Sequence, residues 1–190
     1  MPLRVAIFSD THNLLRPALL TVLERCEIWI HAGDICRLEL WELLRVRAGT
    51  RLLVGVRGNN DKGAWAEQLP LQTEVMLRGW KFLVLHELHR LSREQLEQGT
   101  WHGVISGHSH QRRVHWEAGK LLLNPGSAGP RRFKLEPSMM VLELEGSKLV
   151  LNSVLLEPVS LNSVSLEPVS LEPVSVEQIR LDAYELPTSS

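Results

Sequence analysis

The sequence predicts an α/β protein built on mixed β-sheets. Two observations carry that reading. Residues 4–56 alternate short, β-branched apolar runs with stretches of helically spaced leucine, the pattern of parallel strands joined by helices. Residues 113–155 give one β signal after another with no long helix between them, the pattern of antiparallel hairpins.

The elements follow in order. RVAIF (4–8) is apolar and β-branched enough for a buried strand. RPALLTVLER (16–25) carries a proline near its start, where a missing N–H costs a helix nothing, and leucines at helical spacing. EIWIH (27–31) reads as a strand, LELWELLRV (38–46) as a helix and RLLVGV (51–56) as a third strand. TEVMLRG and WKFLVLH (73–86) form a hairpin with Gly79 at or near its turn. Ser92 and Gln95 have capping-box spacing and open a short helix, SREQLEQ. HGVIS (102–106) is again a strand, followed by the β signals RVHWE, KLLLN, SMMVLELEG and SKLVLNSVL.

The tail has another character. LNSVLLEPVS (151–160) recurs as LNSVSLEPVS (161–170), with Ser165 in the place of Leu155, and LEPVS returns at 171–175. Pro158, Pro168 and Pro173 bar a regular helix and a central strand. The repeat is too short for a solenoid with its own core. The expected organisation is a domain over residues 1–150 and a repetitive extension over 151–190. That extension reads as extended, edge-packed or mobile, with a partner-binding strand as the sharper alternative.

Composition narrows the function. Hydrophobic residues make up 44% and charged residues 23% of the 190, ordinary values for a globular protein with a real core. The net charge of -1 excludes a large basic field, so stable nucleic-acid binding is not expected. The six tryptophans are scattered without interleaved basic runs, which suits core and interface better than base stacking. No apolar stretch approaches the roughly 20 residues of a membrane span, and the N-terminal apolar run is too short for a signal peptide. Cys26 and Cys36 are expected as free thiols and the protein as cytoplasmic. A homo-oligomer is compatible with the tryptophan content and the β-rich C-terminal half.

Chemistry collects at the strand ends. RVAIF runs into Ser9-Asp10-Thr11-His12, and EIWI into His31-Ala32-Gly33-Asp34. RLLVGV runs into Arg57-Gly58-Asn59-Asn60-Asp61, KFLVL into His86, and HGVIS into Gly107-His108-Ser109-His110. Functional groups of α/β sheets gather beyond the carboxyl ends of strands, so these five clusters can face one another. Asp, Asn and His offer oxygen and nitrogen to divalent metals. Cysteine is absent from all five clusters, which argues against a structural zinc site. One ion does not need so many donors; two ions sharing a carboxylate do, a standard device for phosphoryl chemistry.

The order D-x-H, G-D, G-N-N-D, H, G-H-x-H resembles the calcineurin-like metallophosphoesterase superfamily, and the short length its small YfcE-type phosphodiesterase branch. The resemblance covers roughly residues 4–135 and includes NPGSAGPRR (124–132). It implies a four-layer α-β-β-α sandwich of two mixed β-sheets flanked by helices. It also implies that Asp10, His12 and His110 hold one metal, that Asn59, His86 and His108 hold a second, and that Asp34 bridges both. Manganese suits the ligand set, with magnesium, nickel, cobalt, iron and zinc as alternatives. The expected reaction is hydrolysis of a small phosphodiester through a metal-bridging hydroxide, with Asp34 and Asn60 as the catalytic residues. Many superfamily members have histidine where this chain has Asn60. An amide can hydrogen-bond a phosphate oxygen but supplies no proton at neutral pH, which favours leaving groups that need little protonation.

Each residue also has a plainer reading. Alone, Asp10 and His12 would make a turn and a helix N-cap, and Asp34 would cap the following helix. Asn59 and Asn60 would make a tight turn, and Asp61 reads as structural, with the orientation of a ligand as its functional alternative. His86 is followed by Glu-Leu-His rather than Gly, so His89 competes with it for the ligand role. His31, His102 and His115 read as core or surface, and GPRRFK (129–134) as a solvated turn. Two other functions compete: a phosphomonoesterase, and a weakly active or inactive scaffold like the retromer subunit that shares this fold and binds protein partners.

Overall fold

Level strand ends are the feature of this fold that builds a site. In the computed structural model, β1 (Leu3–Phe8), β2 (Ile28–His31) and β3 (Leu52–Gly55) pair in parallel, joined through α1 (Pro17–Leu23) and α2 (Leu38–Ala48). Their register sets Phe8 beside His31 and His31 beside Gly55, so the three following loops leave from one edge. The structure describes residues 1–132, 134–146 and 148–157 and the backbone of 176–179. The repeat units from Pro158 to Ser175 lie outside the described residues.

After a short helix, α3 (Ala64–Glu67), the chain enters a second sheet. β4 (Gln72–Leu77) and β5 (Trp80–Leu85) form the expected hairpin across Arg78 and Gly79. Both turn residues have positive φ, 47° and 89°, the geometry that lets a two-residue turn match the strand twist. A 3-10 turn (Leu88–Arg90) and α4 (Arg93–Gln98) follow. The capping box of α4 is present: Gln95 N–H donates to Ser92 Oγ at 3.1 Å, and Ser92 N–H to Gln95 Oε1 at 2.9 Å. β6 (Gly103–Ile105), β7 (Arg113–Glu117) and β8 (Lys120–Asn124) complete this sheet. β9 (Ser138–Glu145), β10 (Lys148–Leu155) and β11 (Val176–Ile179) return to the first. The sheets are six-stranded (β11-β10-β9-β1-β2-β3) and five-stranded (β4-β5-β6-β8-β7), and both mix parallel with antiparallel pairs.

Strand alternation sorts the core into layers. Val5 and Ile7 face the other sheet, meeting Phe82, Val84, Ile105 and Leu123 in the layer between sheets. Ala6 and Phe8 face outward and pack with Leu19, Leu23, Leu40 and Leu44 of α1 and α2. On the far side, Leu83, Leu85, Val104 and Leu122 pack with Leu96 of α4. The result is the four-layer α-β-β-α sandwich. Trp29 and Trp80 are wholly buried, whereas Trp116 is 41% exposed, so tryptophan here serves mainly the core. No helix among the described residues is long and apolar enough to cross a membrane.

Candidate metal centre

All five strand-end clusters arrive at one place. The loops after β1, β2 and β3 bring Asp10, His12, Asp34 and Asn59 from the six-stranded sheet, and those after β5 and β6 bring His86, His108 and His110 from the other. Asp10, His12, Asp34, His108 and His110 all adopt left-handed backbone, with φ between 43° and 69°. That conformation is unfavourable for residues with a Cβ and persists where the surroundings over-determine it. Backbone bonds do so here: Asp10 N–H to Gly33 O at 2.9 Å and His12 N–H to Asp34 O at 3.0 Å. Two glycines let the loops close in. A Cβ on Gly58 would lie 2.2 Å from Asp34 N, and one on Gly107 1.9 Å from Ser9 Oγ.

The side chains form two adjoining groups. In the first, His12 Nε2 lies 3.2 Å from His110 Nε2, which lies 3.2 Å from Asp10 Oδ1. In the second, Asn59 Oδ1 lies 3.0 Å from both His86 Nε2 and His108 Nδ1. Asp34 stands between them, with Oδ2 3.8 Å from His12 Nε2 and Oδ1 3.4 Å from His86 Nε2. Asp10 also reaches across, its Oδ1 4.0 Å from His86 Nε2. The sets Asp10, His12, His110 and Asp10, Asp34, His86 each have their donor atoms close enough to share a cation. Among the described residues, Asp10 Oδ1 is fully buried and accepts no hydrogen bond despite its nearness to His110, and His110 Nδ1 is likewise unsatisfied. A buried carboxylate oxygen without a donor, facing imidazole nitrogens, fits a divalent cation.

Burial separates His86 from His89, although His89 also brings a donor atom close to those of Glu87 and His108. His86 is 2% exposed inside the cluster, whereas His89 is exposed, its ring 5.8 Å from that of His108. His86 Nδ1 donates to Ala32 O at 2.7 Å, which turns Nε2 toward the Oδ1 atoms of Asn59 and Asp34. His12 Nδ1 lies 3.3 Å from Cys36 Sγ.

Asp61, expected to be structural, holds two of the site loops together. Its Oδ2 accepts from Gly58 N–H at 2.7 Å and Asp34 N–H at 3.1 Å, and its Oδ1 from Cys36 N–H at 2.6 Å. One carboxylate thus ties the Asp34 loop to the Asn59 loop. Three other residues support the loops of the site. His31 accepts Gly33 N–H at Nδ1 and pairs with Thr11 through Nε2. Ser127 Oγ donates to Asp10 O at 2.9 Å, and Asn124 Nδ2 to Gly107 O at 2.7 Å. The position of Asp61, two residues past Asn59 in a strand-end cluster, signals such a role in advance, as does the place of Asn124 and Ser127 within NPGSAGPRR.

Asn60 donates to Asp34 twice, from its backbone N–H to Oδ1 at 2.8 Å and from Nδ2 to Oδ2 at 2.6 Å. Burial opposes charge on Asp34, but the bonds from His86 and Asn60 outweigh it and hold the carboxyl well below the usual carboxylate range. Burial also opposes charge on His86, and Asp34 and Asp10 reverse that, so its pKa is raised. For His12 burial prevails and the pKa is lowered. Burial pushes His31 down to about 3 and, reinforced by Asp34, Asp61 and Asp10, pushes the Cys36 thiol up to about 12.

Residues 3–147 match the calcineurin-like phosphoesterase superfamily domain. The chain belongs to this family. A probable metallophosphoesterase of Methanothermobacter thermautotrophicus is 27% identical over 157 residues, 76% of this chain and 88% of that one. Among solved structures, a novel archaeal phosphodiesterase superposes with a TM-score of 0.65 at 24% identity, covering 78% of this chain and 98% of its own. Vps29 of Entamoeba histolytica complexed with zinc superposes with a TM-score of 0.67 at 22% identity, covering 93% and 98%. At these identities the structural likeness speaks for the fold. This chain has candidate metal-ligand clusters of its own at its strand ends.

Proposed function

We propose that this protein hydrolyses phosphodiesters at a centre of two divalent cations, manganese being the expected ion. The observation that carries the reading is Asp34, whose two carboxylate oxygens face the two histidine groups separately. Asp10, His12 and His110 would hold one ion, Asn59, His86 and His108 the other, and Asp34 both. Such ions supply neutralisation of a phosphoryl group and acidification of water. The chain supplies the rest. Asp61 fixes the loops of Asp34 and Asn59 to each other, so the carboxylate is oriented before any ligand arrives. Asn60 spends one amide N–H on Asp34 and has a second to give a phosphoryl oxygen. It has no proton to give a leaving group, and none of the seven ligand side chains is spare for that task. The substrates this arrangement suits are therefore diesters with weakly basic leaving groups, aryl esters above all.

The supporting charge count is simple. Two carboxylates set against two divalent ions leave a surplus of about +2, which one hydroxide and a phosphodiester monoanion offset more closely than a monoester dianion does. The likeness to Vps29 over most of the chain supports a second reading, a protein-binding scaffold. A panel separates the two. Metal-free protein is loaded with manganese, magnesium, nickel, cobalt or zinc and given aryl diester and monoester substrates. Turnover of bis(p-nitrophenyl) phosphate above that of p-nitrophenyl phosphate is the expected result; no turnover with any pair would leave the scaffold. We place the catalytic domain at residues 1–150, the repetitive extension at 151–190, and the protein in the cytoplasm.

A further inference from the structure

A cavity of about 750 Å³ opens beside the second histidine group and shares Asn59 and His86 with it. That is far more room than a phosphate needs, at about 30 Å³ for each water-sized body, and it falls within the range of small-molecule sites. Leu71 and Leu85 give the cavity apolar wall. Its charged lining divides sharply. Asp61 is consumed by backbone N–H groups, Arg90 is paired with Glu87, and Lys62 Nζ donates to Asn59 O at 2.7 Å. Glu67 stands exposed at the rim. Arg57 is the exception: half-buried on the cavity wall, its guanidinium has no partner among the described residues.

From this geometry we infer that the cavity receives the part of the substrate lying beyond the reacting phosphate, and that Arg57 binds an anionic group on it. The inference rests on the phosphodiester reading of the metal centre. It makes the substrate class narrower: an organic phosphodiester carrying a second phosphate or carboxylate. A guanidinium is suited to that task because its planar fork meets such oxygens in pairs and stays charged at every relevant pH. Held from one side of the cavity, the second anion would draw the reacting phosphate against Asn59 and His86 without competing for the cations.

The test compares two nucleotides that differ by one phosphate. Thymidine 3′,5′-bisphosphate and thymidine 5′-monophosphate are titrated into the manganese-loaded full chain by calorimetry. Wild type should bind the bisphosphate about tenfold or more tightly, the scale of a charge-assisted hydrogen bond. Arg57→Met should bring the two affinities together, and Arg57→Lys should keep part of the difference, at unchanged thermal midpoints. Equal affinities in wild type, or an undiminished preference in Arg57→Met, would overturn the inference. Turnover of the p-nitrophenyl ester of thymidine 5′-phosphate is followed in parallel. Binding preference without turnover keeps Arg57 as an anion-binding group but overturns the hydrolase reading and the substrate assignment built on it; turnover without preference overturns the cavity assignment alone.

Discussion

The two sheets contribute unequally to the centre. The six-stranded sheet supplies both carboxylates, the Asn59 amide and a single imidazole, while the five-stranded sheet supplies only imidazoles. The oxygen-rich half is tied down by several independent bonds: Asp61 to the loops of Asp34 and Asn59, Asn60 to both Asp34 oxygens, Ser127 to the Asp10 carbonyl. The nitrogen half is held more lightly. His86 is anchored to Ala32, but His110 Nδ1 has no partner among the described residues and His108 is exposed. The difference has a physical origin. Buried carboxylates repel one another and must be fixed in place by N–H donors, whereas neutral imidazoles can settle around whatever charge the carboxylates gather.

The comparison breaks most visibly at Asp34. Asp34→Asn keeps the shape and removes the charge facing both histidine groups. Turnover of an aryl diester should fall by more than the roughly 10–100-fold typical of a residue that only supports a ligand, with the circular dichroism spectrum retained. Asp61→Asn comes next. Its NH2 faces either the Cys36 N–H or those of Gly58 and Asp34, so a tie to the Asp34 loop is lost in either orientation. A drop of about 10–100-fold in activity and roughly 1–3 kcal/mol in stability should appear in the same variant, read by kinetics and by urea unfolding. Asn124→Ala sharpens the contrast from the other sheet. It removes the donor to Gly107 O and the acceptor of Gly126 N–H. Stability should fall by about 1–3 kcal/mol, with a smaller loss of activity than Asp61→Asn causes.

Much of this centre was legible because strand ends are legible. Each of the five apolar runs stops at a polar cluster, and parallel pairing obliges those stops to share an edge, so Asp10, Asp34, Asn59, His86 and His108 could be grouped before their distances were known. The capping box at Ser92 and the hairpin at Gly79 are local and were equally plain. The supporting residues were not, because their effect depends on reach across the chain. Asp61 bonds to residues 25 and 27 positions away, and Ser127 to one 117 away. Nothing in VRGNND says that its last carboxylate meets Cys36, and a lone His31 after a strand looks the same whether it is core or support. The pairing of β9 with β1, which closes the six-stranded sheet, is long-range in the same way.

The effect smallest at neutral pH belongs to His31. Its pKa drops from 6.5 to about 3 on folding, chiefly through burial. The folded state therefore binds fewer protons than the unfolded chain below 6.5. Its contribution is intact above 6.5 and is lost as pH falls toward about 3. His31→Gln should lessen the fall of unfolding free energy between pH 6.5 and 4.5 by at most about 1.4 kcal/mol per pH unit, measured by denaturant titration of metal-free protein.

The unequal halves matter only if they close around cations. Calorimetric titration of the metal-free chain with manganese tests that directly, in wild type, Asp34→Asn and His110→Ala. The account predicts two ions bound per chain in wild type, at least one lost in Asp34→Asn and one lost in His110→Ala. Absence of tight binding in wild type, or a stoichiometry that neither substitution changes, would contradict it.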